Sequence, residues 1–104
     1  MANNITKTVL VDQIAEKTGF TKKDTKETLD AMLEVISEDL AAEAKKSEDE
    51  RAKIQLIGFG SFEVRDRSAR KGRNPQTGEE LQIPARTVPA FKAGKSLKEN
   101  VNVK

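Results

Sequence analysis

Apolar side chains recur at helical spacing in two runs over the first forty residues. The first run comprises Val9, Leu10, Ile14 and Ala15. The second comprises Leu29, Met32, Leu33, Ile36 and Leu40. Thr6 is suited to cap the first helix, and Gly19 is suited to end it. Thr21 and Asp24 have the spacing of a capping box at the start of the second. The pattern therefore predicts a helical hairpin with a short turn.

The two faces of the second helix differ in chemistry. Its apolar stripe could form a groove for a cofactor or a partner, but a buried core or a dimer seam is the favoured interpretation. The opposite face carries Asp30, Glu34 and Glu38. Carboxylates spaced along an exposed helix rarely converge on a metal ion, and like charges at this spacing repel one another. This face is therefore interpreted as solvated and as a poor surface for a negatively charged partner.

Strand patterns replace the helical ones after residues 43–53, a polar and charged run that predicts the end of the helix and a soluble link. Residues 54–56 alternate as a strand, and residues 61–64 begin a second one after the Gly58-Phe59-Gly60 turn. Two glycines could indicate a phosphate-binding loop. The GxxxxGK[ST] pattern is absent, which favours a structural role for Gly58 and Gly60.

From Arg65 onward the apolar face disappears while the strand spacing continues. Arg65, Arg67, Lys71 and Arg73 share one parity, and Arg70 lies on the other side. A strand without an apolar face cannot pack into a core, so it must project or stay mobile. Residues 72–78 are dense in turn formers, and residues 79–86 return as a second strand. This pattern predicts a long β-hairpin, basic on its outgoing strand.

Two prolines and a short terminal helix complete the pattern. Pro84 and Pro89 lie in the returning strand, where each must face an open edge or a bulge because proline donates no ladder hydrogen bond. Phe91 is predicted to return the chain to the core. Residues 96–101 can form a short helix, with Lys92, Lys95 and Lys98 near it.

Composition restricts what this domain can do. The chain has 104 residues, of which 36% are hydrophobic, and its four aromatic residues are all Phe. One domain is expected, and its thin core predicts a second subunit. There is no Cys and no His, which excludes disulfides, zinc fingers, thiol nucleophiles and imidazole bases. No enzyme, cofactor or metal site is therefore expected.

Localisation and partner class follow from hydropathy and charge. No apolar run could span a bilayer, and the MANNITKTVL start lacks the pattern of a signal peptide, so a cytoplasmic protein is expected. Residues 1–50 have a net charge of −5 and residues 51–104 one of +7, with all six arginines in the second half. This asymmetry indicates nucleic-acid binding. A solvated face, and an arm that binds acidic proteins or RNA, remain the alternatives.

Four segments in order resemble one family. They are Gly58-Phe59-Gly60-Ser61-Phe62, Arg70-Lys71-Gly72-Arg73-Asn74-Pro75-Gln76-Thr77-Gly78, Ile83-Pro84-Ala85 and Val88-Pro89-Ala90-Phe91-Lys92. They look like the bacterial histone-like protein HU and its relative integration host factor. The resemblance runs from about Lys7 to Lys98, and the arm-tip motif at its fixed distance from the GFG-x-F segment is highly specific.

The resemblance implies an α+β fold and a single domain over residues 1–104. An HU/IHF-like intertwined dimer is expected, with an N-terminal helical hairpin at about 6–46. A three-stranded antiparallel sheet and body are expected at about 52–64 and 87–104. A long β-ribbon arm is expected at about 65–86, and a short C-terminal helix ends the chain.

The resemblance also implies a function. We expect the chain to bend, wrap and compact double-stranded DNA in the nucleoid, largely without sequence specificity and with a preference for bent, nicked or gapped DNA. A sequence-specific bender of the integration host factor type is the alternative. Pro75 matches the family's intercalating proline, and a turn-forming role is compatible with wedging. A homodimer is the default, and a heterodimer with a paralogue would look the same.

The residues expected to contact DNA are basic or lie at the arm tip. They are Lys7, Arg65, Arg67, Arg70, Lys71, Arg73, Asn74, Pro75, Arg86, Lys92, Lys95 and Lys98. The residues expected in the dimer core are Leu33, Ile36, Leu40, Phe59, Phe62 and Phe91.

Two departures from the family pattern stand out. The connection after the second helix is longer than the family's tight turn and is acidic at residues 47–50. Ala93 stands before Gly94, where proline is common, which puts the local turn in doubt.

Overall fold

The helices of the N-terminal half begin and end where their capping residues predict. The computed structural model describes residues 3–104. Helix α1 is Lys7–Thr18 and helix α2 is Lys22–Ala44. The Thr6 side chain accepts the amide of Val9, and Gly19 takes a left-handed φ of 79°. Thr21 Oγ1 accepts the amide of Asp24 at 3.1 Å. The helical hairpin is therefore confirmed, and α2 ends two residues before the expected boundary.

The chain divides into two compact units, one ending at Glu38 and the other spanning Asp39–Lys104. The first unit has a small core over its described residues. Val11, Ala15 and Thr25 are buried, and the Thr25 hydroxyl donates to the Thr21 carbonyl at 2.8 Å. By contrast, Met32 and Leu33 are 44% and 49% exposed. Two of the five apolar side chains of the α2 stripe are therefore exposed within one chain.

The second unit is built from five strands and a short helix. They are β1 (Ile54–Leu56), β2 (Gly60–Arg67), β3 (Arg70–Arg73), β4 (Glu80–Ile83), β5 (Arg86–Ala93) and α3 (Lys95–Val101). Strands β1, β2 and β5 form an antiparallel sheet in that order, and β3 pairs with β4. The expected three-stranded sheet with a β-ribbon is confirmed. A single 3₁₀ turn, Glu48–Glu50, precedes β1, so the predicted soluble link is partly ordered.

The ribbon keeps one register from the sheet to the tip. Arg67 pairs with Arg86, and three residues further along each strand Arg70 pairs with Ile83. Residues 68–69 and 84–85, which face each other in this register, belong to no strand. The prediction of one continuous return strand over 79–86 was therefore wrong. Pro84 lies at this break, where a missing amide donor disrupts no ladder bond.

Pro89 is accommodated inside β5, an edge strand of the sheet. It pairs with Val64, two positions from the Asp66–Thr87 pair. The Asp66 amide donates to Glu48 rather than across the ladder. Because hydrogen-bonded and non-hydrogen-bonded pairs alternate in antiparallel sheets, Pro89 takes a position that needs no amide.

A phenylalanine cluster occupies one face of the sheet. The Phe91 ring centroid lies 5.0 Å from that of Phe62 and 5.5 Å from that of Phe59. A Cβ added at Gly60 would come within 2.6 Å of the Phe91 ring and of a backbone oxygen, so a side chain there would displace β5. Yet Phe59 and Phe91 are 47% and 42% exposed. Val64 is the only buried apolar residue within residues 39–104.

Candidate nucleic-acid interface

Five cations line one face of the ribbon. Residues opposite each other in an antiparallel pair point to the same face. The register therefore adds Arg86, opposite Arg67, to the four outgoing residues of shared parity. We call this row the basic face: Arg65, Arg67, Lys71, Arg73 and Arg86. Its eight steps from Arg65 to Arg73 extend about 27 Å at strand rise. Glu80, opposite Arg73, is the one acid in these pairs.

The reverse face of the ribbon carries apolar side chains that the returning strand supplies. A Cβ added at Gly72 would lie 3.0 Å from Ile83 Cδ1, so Ile83 covers the Gly72 backbone. Both residues are half-buried. Arg70 pairs with Ile83 and projects on this face, separate from the basic face as its parity predicts. The two faces therefore differ, one packed across the strands and one charged and exposed.

The tip of the ribbon is closed by hydrogen bonds that do not involve Pro75. The Asn74 amide donates to the Glu79 carbonyl at 2.9 Å, and the Gly78 amide donates to the Asn74 carbonyl at 2.7 Å. Asn74 Oδ1 accepts the Gln76 amide at 2.9 Å, as in an Asx turn. Gly78 has a φ of 74°, which favours glycine. Pro75 is exposed at this tip, so its ring is free to contact another molecule.

Arg65 differs from the other cations of the basic face because a carboxylate holds it. Its guanidinium donates to Glu63, which also pairs with Lys53 at 3.3 Å. The Arg65 hydrogen bond lowers the pKa of Glu63 below the ordinary glutamate value, against the opposing effect of partial burial. Within residues 3–104, Arg67, Arg70 and Lys71 form no ion pair. Their charges are available to a ligand.

Lys7 lies in the first unit and is also engaged. Its Nζ donates to Asp30 Oδ1 at 2.7 Å, and Lys26 donates to the other oxygen at 2.9 Å. The Lys7 and Lys26 hydrogen bonds lower the pKa of Asp30. The acidic face of α2 is thus partly neutralised by lysines.

The three lysines expected to contact DNA outside the arm, Lys92, Lys95 and Lys98, lie together near the sheet. Lys92 is on β5 opposite Ser61, and Lys95 and Lys98 are three residues apart on α3. All three line one open groove, joined by Lys53 and a single acid, Glu99. The expected grouping of Lys92, Lys95 and Lys98 is observed. Gly94, next to Ala93, donates its amide to the Phe59 carbonyl at 2.8 Å, so the turn forms without a proline.

The candidate core residues fall in two places. Phe59, Phe62 and Phe91 form the phenylalanine cluster of the second unit. Leu40 is half-buried and lies in the same unit, near the end of α2. Leu33 and Ile36 lie in the first unit, and Leu33 is the more exposed of the two.

Sequence reasoning missed Arg51, whose guanidinium bonds carbonyls at the end of α2, and Asp66, whose carboxylate pairs with it. Arg51 falls in the polar run assigned to a solvated link, yet its side chain is only 6% exposed. A guanidinium that bonds helix-end carbonyls has no characteristic spacing, so the sequence offers no signal for it. Over residues 3–104 there is no cluster of potential metal ligands, and no helix is long and apolar enough to cross a membrane.

The chain matches a family model and several curated proteins over most of its length. The model described as bacterial DNA-binding protein matches residues 5–102. DNA-binding protein HU of Geobacillus stearothermophilus is 55% identical over 95 residues, which cover 91% of this chain and 97% of that protein. DNA-binding protein HU of Staphylococcus aureus is 56% identical with the same coverage.

Solved structures agree in fold. A cocrystal structure of Anabaena HU with DNA matches with a TM-score of 0.80 and 46% identity, covering 95% of this chain and 99% of that chain. The solution structure of a mutant of transcription factor 1 matches with a TM-score of 0.57 and 35% identity, covering 89% and 86% of the two chains.

Proposed function

The chain belongs to the family of bacterial DNA-binding proteins that includes HU, and we propose that it bends and compacts double-stranded DNA by inserting its ribbon into the minor groove. Membership makes it a DNA-binding protein and places it outside the enzymes. How it binds, and what it does to the duplex, are the content of the proposal.

The basic face is the observation that carries the proposal. A two-stranded ribbon is slender enough to enter a groove, and five cations in one row can meet the phosphates on its walls. Anabaena HU, whose fold this chain shares, was crystallised together with DNA. Because contacts to phosphates carry no sequence information, binding of this kind is largely independent of sequence.

Pro75 is proposed to act as a wedge at the tip. An apolar ring inserted between base steps unstacks them at a cost of a few kcal/mol, which wider wrapping of the DNA offsets. That cost is lowest where the duplex is already bent, nicked or gapped. The protein should therefore prefer such DNA over an intact linear duplex. Equal affinity for both in a gel-shift titration would contradict the wedge.

The active species is proposed to be a homodimer of two intertwined chains. The exposed rings of Phe59 and Phe91 and the uncovered Leu33 side chain are apolar surfaces that a second copy would bury. Two arms would then reach the duplex from both sides, while Lys92, Lys95 and Lys98 hold its flanks. Such a protein would act on the bacterial chromosome, in the nucleoid.

Pro75→Ala tests the bending mechanism. Since the hydrogen bonds of the tip involve other residues, the substitution keeps the bonds that close the turn and removes the apolar ring. Energy transfer between the two ends of a nicked duplex should rise less on binding the variant than on binding the wild type, and the loss of affinity should be smaller than the loss of bending. Gln76→Ala is the matched control, because it truncates an exposed side chain in the same turn. An unchanged bend angle in Pro75→Ala would disprove the wedge.

Binding-site selection from random DNA tests the lack of specificity. Recovery of sequences without a consensus is expected, whereas a recovered consensus would indicate a bender of the integration host factor type. Displacement of bound DNA by equal concentrations of single-stranded RNA would instead indicate a general binder of polyanions.

A further inference from the structure

Arg51 joins the end of helix α2 to the base of the ribbon. Its Nε donates to the carbonyls of Glu43 and Lys46 at 3.2 and 3.0 Å, and Nη2 donates to that of Ala44 at 3.0 Å. Its Nη1 donates to Asp66 Oδ1 at 3.0 Å. The last carbonyls of a helix have no partner within the helix, and here one guanidinium bonds two of them, those of Glu43 and Ala44. A side chain that is 6% exposed with this many partners is fixed in place.

Asp66 lies where the sheet becomes the ribbon. We call the last two pairs of the β2–β5 ladder, Asp66–Thr87 and Arg67–Arg86, the arm root. Beyond them the ladder is interrupted at residues 68–69 and 84–85. Asp66 Oδ1 also accepts the Thr87 hydroxyl at 3.0 Å, so one carboxylate bonds both strands and Arg51.

The connection that carries Arg51 is itself tied down. The Glu48 carboxylate accepts the Asp66 amide at 3.3 Å, and the Glu43 carboxylate accepts the Ala52 amide at 2.6 Å. The connection is therefore bonded to the arm root through Glu48, in its acidic segment, and to α2 through the amide of Ala52. The hydrogen bonds from Arg51 and Thr87 also lower the pKa of Asp66, so the carboxylate stays ionised at neutral pH.

We propose that Arg51 is a positioning residue for DNA bending, which fixes the arm root to the end of α2 and so sets the direction in which the ribbon leaves the sheet. The inference rests on the proposed function, since the ribbon must be the DNA-binding arm for its direction to matter. Arg51 itself, being covered by protein, has no part in contacting DNA. It acts through the Asp66 carboxylate, at a point where two unpaired residues on each strand leave the ribbon free to pivot.

Two variants separate geometry from charge. Arg51→Lys keeps the positive charge but cannot reproduce the planar fork that reaches the carbonyls and the carboxylate together. Asp66→Asn leaves the carbonyl bonds of Arg51 in place and puts a neutral amide where the carboxylate pairs with Arg51 and accepts the Thr87 hydroxyl. It also removes a negative charge beside the basic face, so a pure charge effect would strengthen DNA binding. Lys22→Gln is the matched control, because it breaks an exposed ion pair with Asp12 in the first unit.

Amide hydrogen exchange of the free full-length protein is measured first. Both variants should raise exchange in residues 64–67 and 86–88 by about tenfold, as expected when a local opening becomes easier. Exchange in α1 should not change, and Lys22→Gln should leave the arm root as in the wild type. Unchanged exchange at the arm root in both variants would overturn the proposal.

Bending of a nicked duplex is measured next, by energy transfer between its ends. Both variants should give a broader distribution of end-to-end distances and a lower mean transfer, with affinity within about threefold of the wild type because the phosphate contacts are retained. A loosened arm root with a wild-type bend would show that Arg51 is structural only and would overturn the proposal. If the wild type itself fails to bend DNA, the proposed function fails and the inference falls with it. The exchange data would still show whether Arg51 holds the arm root in place.

Discussion

Lys7 illustrates how a single residue can be both a candidate DNA contact and part of an ion pair. Its ammonium lies 2.7 Å from Asp30, which also holds Lys26. Phosphates of a bound duplex would compete with this carboxylate for the same cation. Exposed ion pairs are weak, so the competition should be decided by small differences in free energy.

Asp30→Asn should therefore raise DNA affinity by about twofold to fivefold at low salt, since it frees Lys7 and Lys26. The gain should shrink as salt screens the charges. Asp12→Asn makes the same change of charge in the same unit, where Asp12 pairs with Lys22. Fluorescence anisotropy titrations of both variants over a range of salt concentrations would check this. Equal gains in the two variants would show that net charge, and not release of Lys7, is responsible.

Glu63 makes the pH dependence of stability testable. Its pKa is lowered by the Arg65 hydrogen bond, then by Lys53, so the folded state favours the ionised form. A group with a lowered pKa stabilises the fold above its unfolded pKa, about 4.3, and this contribution is lost as pH falls through the folded pKa. Glu63→Gln should thus reduce stability at pH 7 and flatten the loss of stability below about pH 4. Urea unfolding of the variant and the wild type at pH 7 and below about pH 4 would measure the free energy of unfolding in each case.

A suitable control for that series is Glu34→Gln, which removes an exposed carboxylate that forms no ion pair within residues 3–104. Its unfolding curve at pH 7 should stay close to that of the wild type. An equal loss of stability in both variants would remove the special role of Glu63.

The ribbon shows how far sequence reasoning reaches at the scale of an element. Loss of the apolar face after Val64 predicts that the strand projects, and residue parity predicts which cations share a face. The register added Arg86 to that face, because only a known pairing of two strands tells which residues lie opposite each other. The break at Pro84 was not predicted, since the proline rule allows an edge, a bulge or an interruption.

Salt dependence measures how many cations of the ribbon meet phosphates. Each phosphate contact contributes about 0.9 to the slope of log affinity against log salt, so ten contacts per dimer would give a slope of about −9. Replacing Arg67 and Lys71 by Gln in both chains removes four contacts and should make the slope less steep by about 3 to 4. Lys17→Gln with Lys22→Gln removes the same charge from the first unit. A slope that changes equally in both double variants would argue against the basic face as the contact surface.

At the scale of the whole molecule, the main feature is how little apolar surface one chain buries. The described residues contain three buried apolar side chains, Val11, Ala15 and Val64. A low hydrophobic content with only four Phe predicts this shortage of buried apolar surface. The sequence also predicts which residues form the core of the dimer. The sequence could not predict which of them remain exposed in one chain, because that depends on packing between elements distant in the sequence. Arg51 was missed for another reason, because the carbonyls that it bonds lie only five to eight residues away and have no characteristic spacing from it.

The exposure of Leu33 decides how the dimer can be tested. Because the Leu33 side chain is 49% exposed in one chain, Leu33→Asp should have little effect on the stability of an isolated subunit. If a second copy covers it, the same substitution buries a charge and should shift sedimentation equilibrium from dimer to monomer. Melting should then occur at lower temperature and lose its dependence on protein concentration. Val103→Asp, at a position that is 89% exposed near the C-terminus, is the control and should remain dimeric.

A Leu33→Asp protein that stays dimeric with an unchanged melting temperature would show that this part of the α2 stripe faces solvent. The apolar contacts between two subunits would then have to come from the phenylalanine cluster alone.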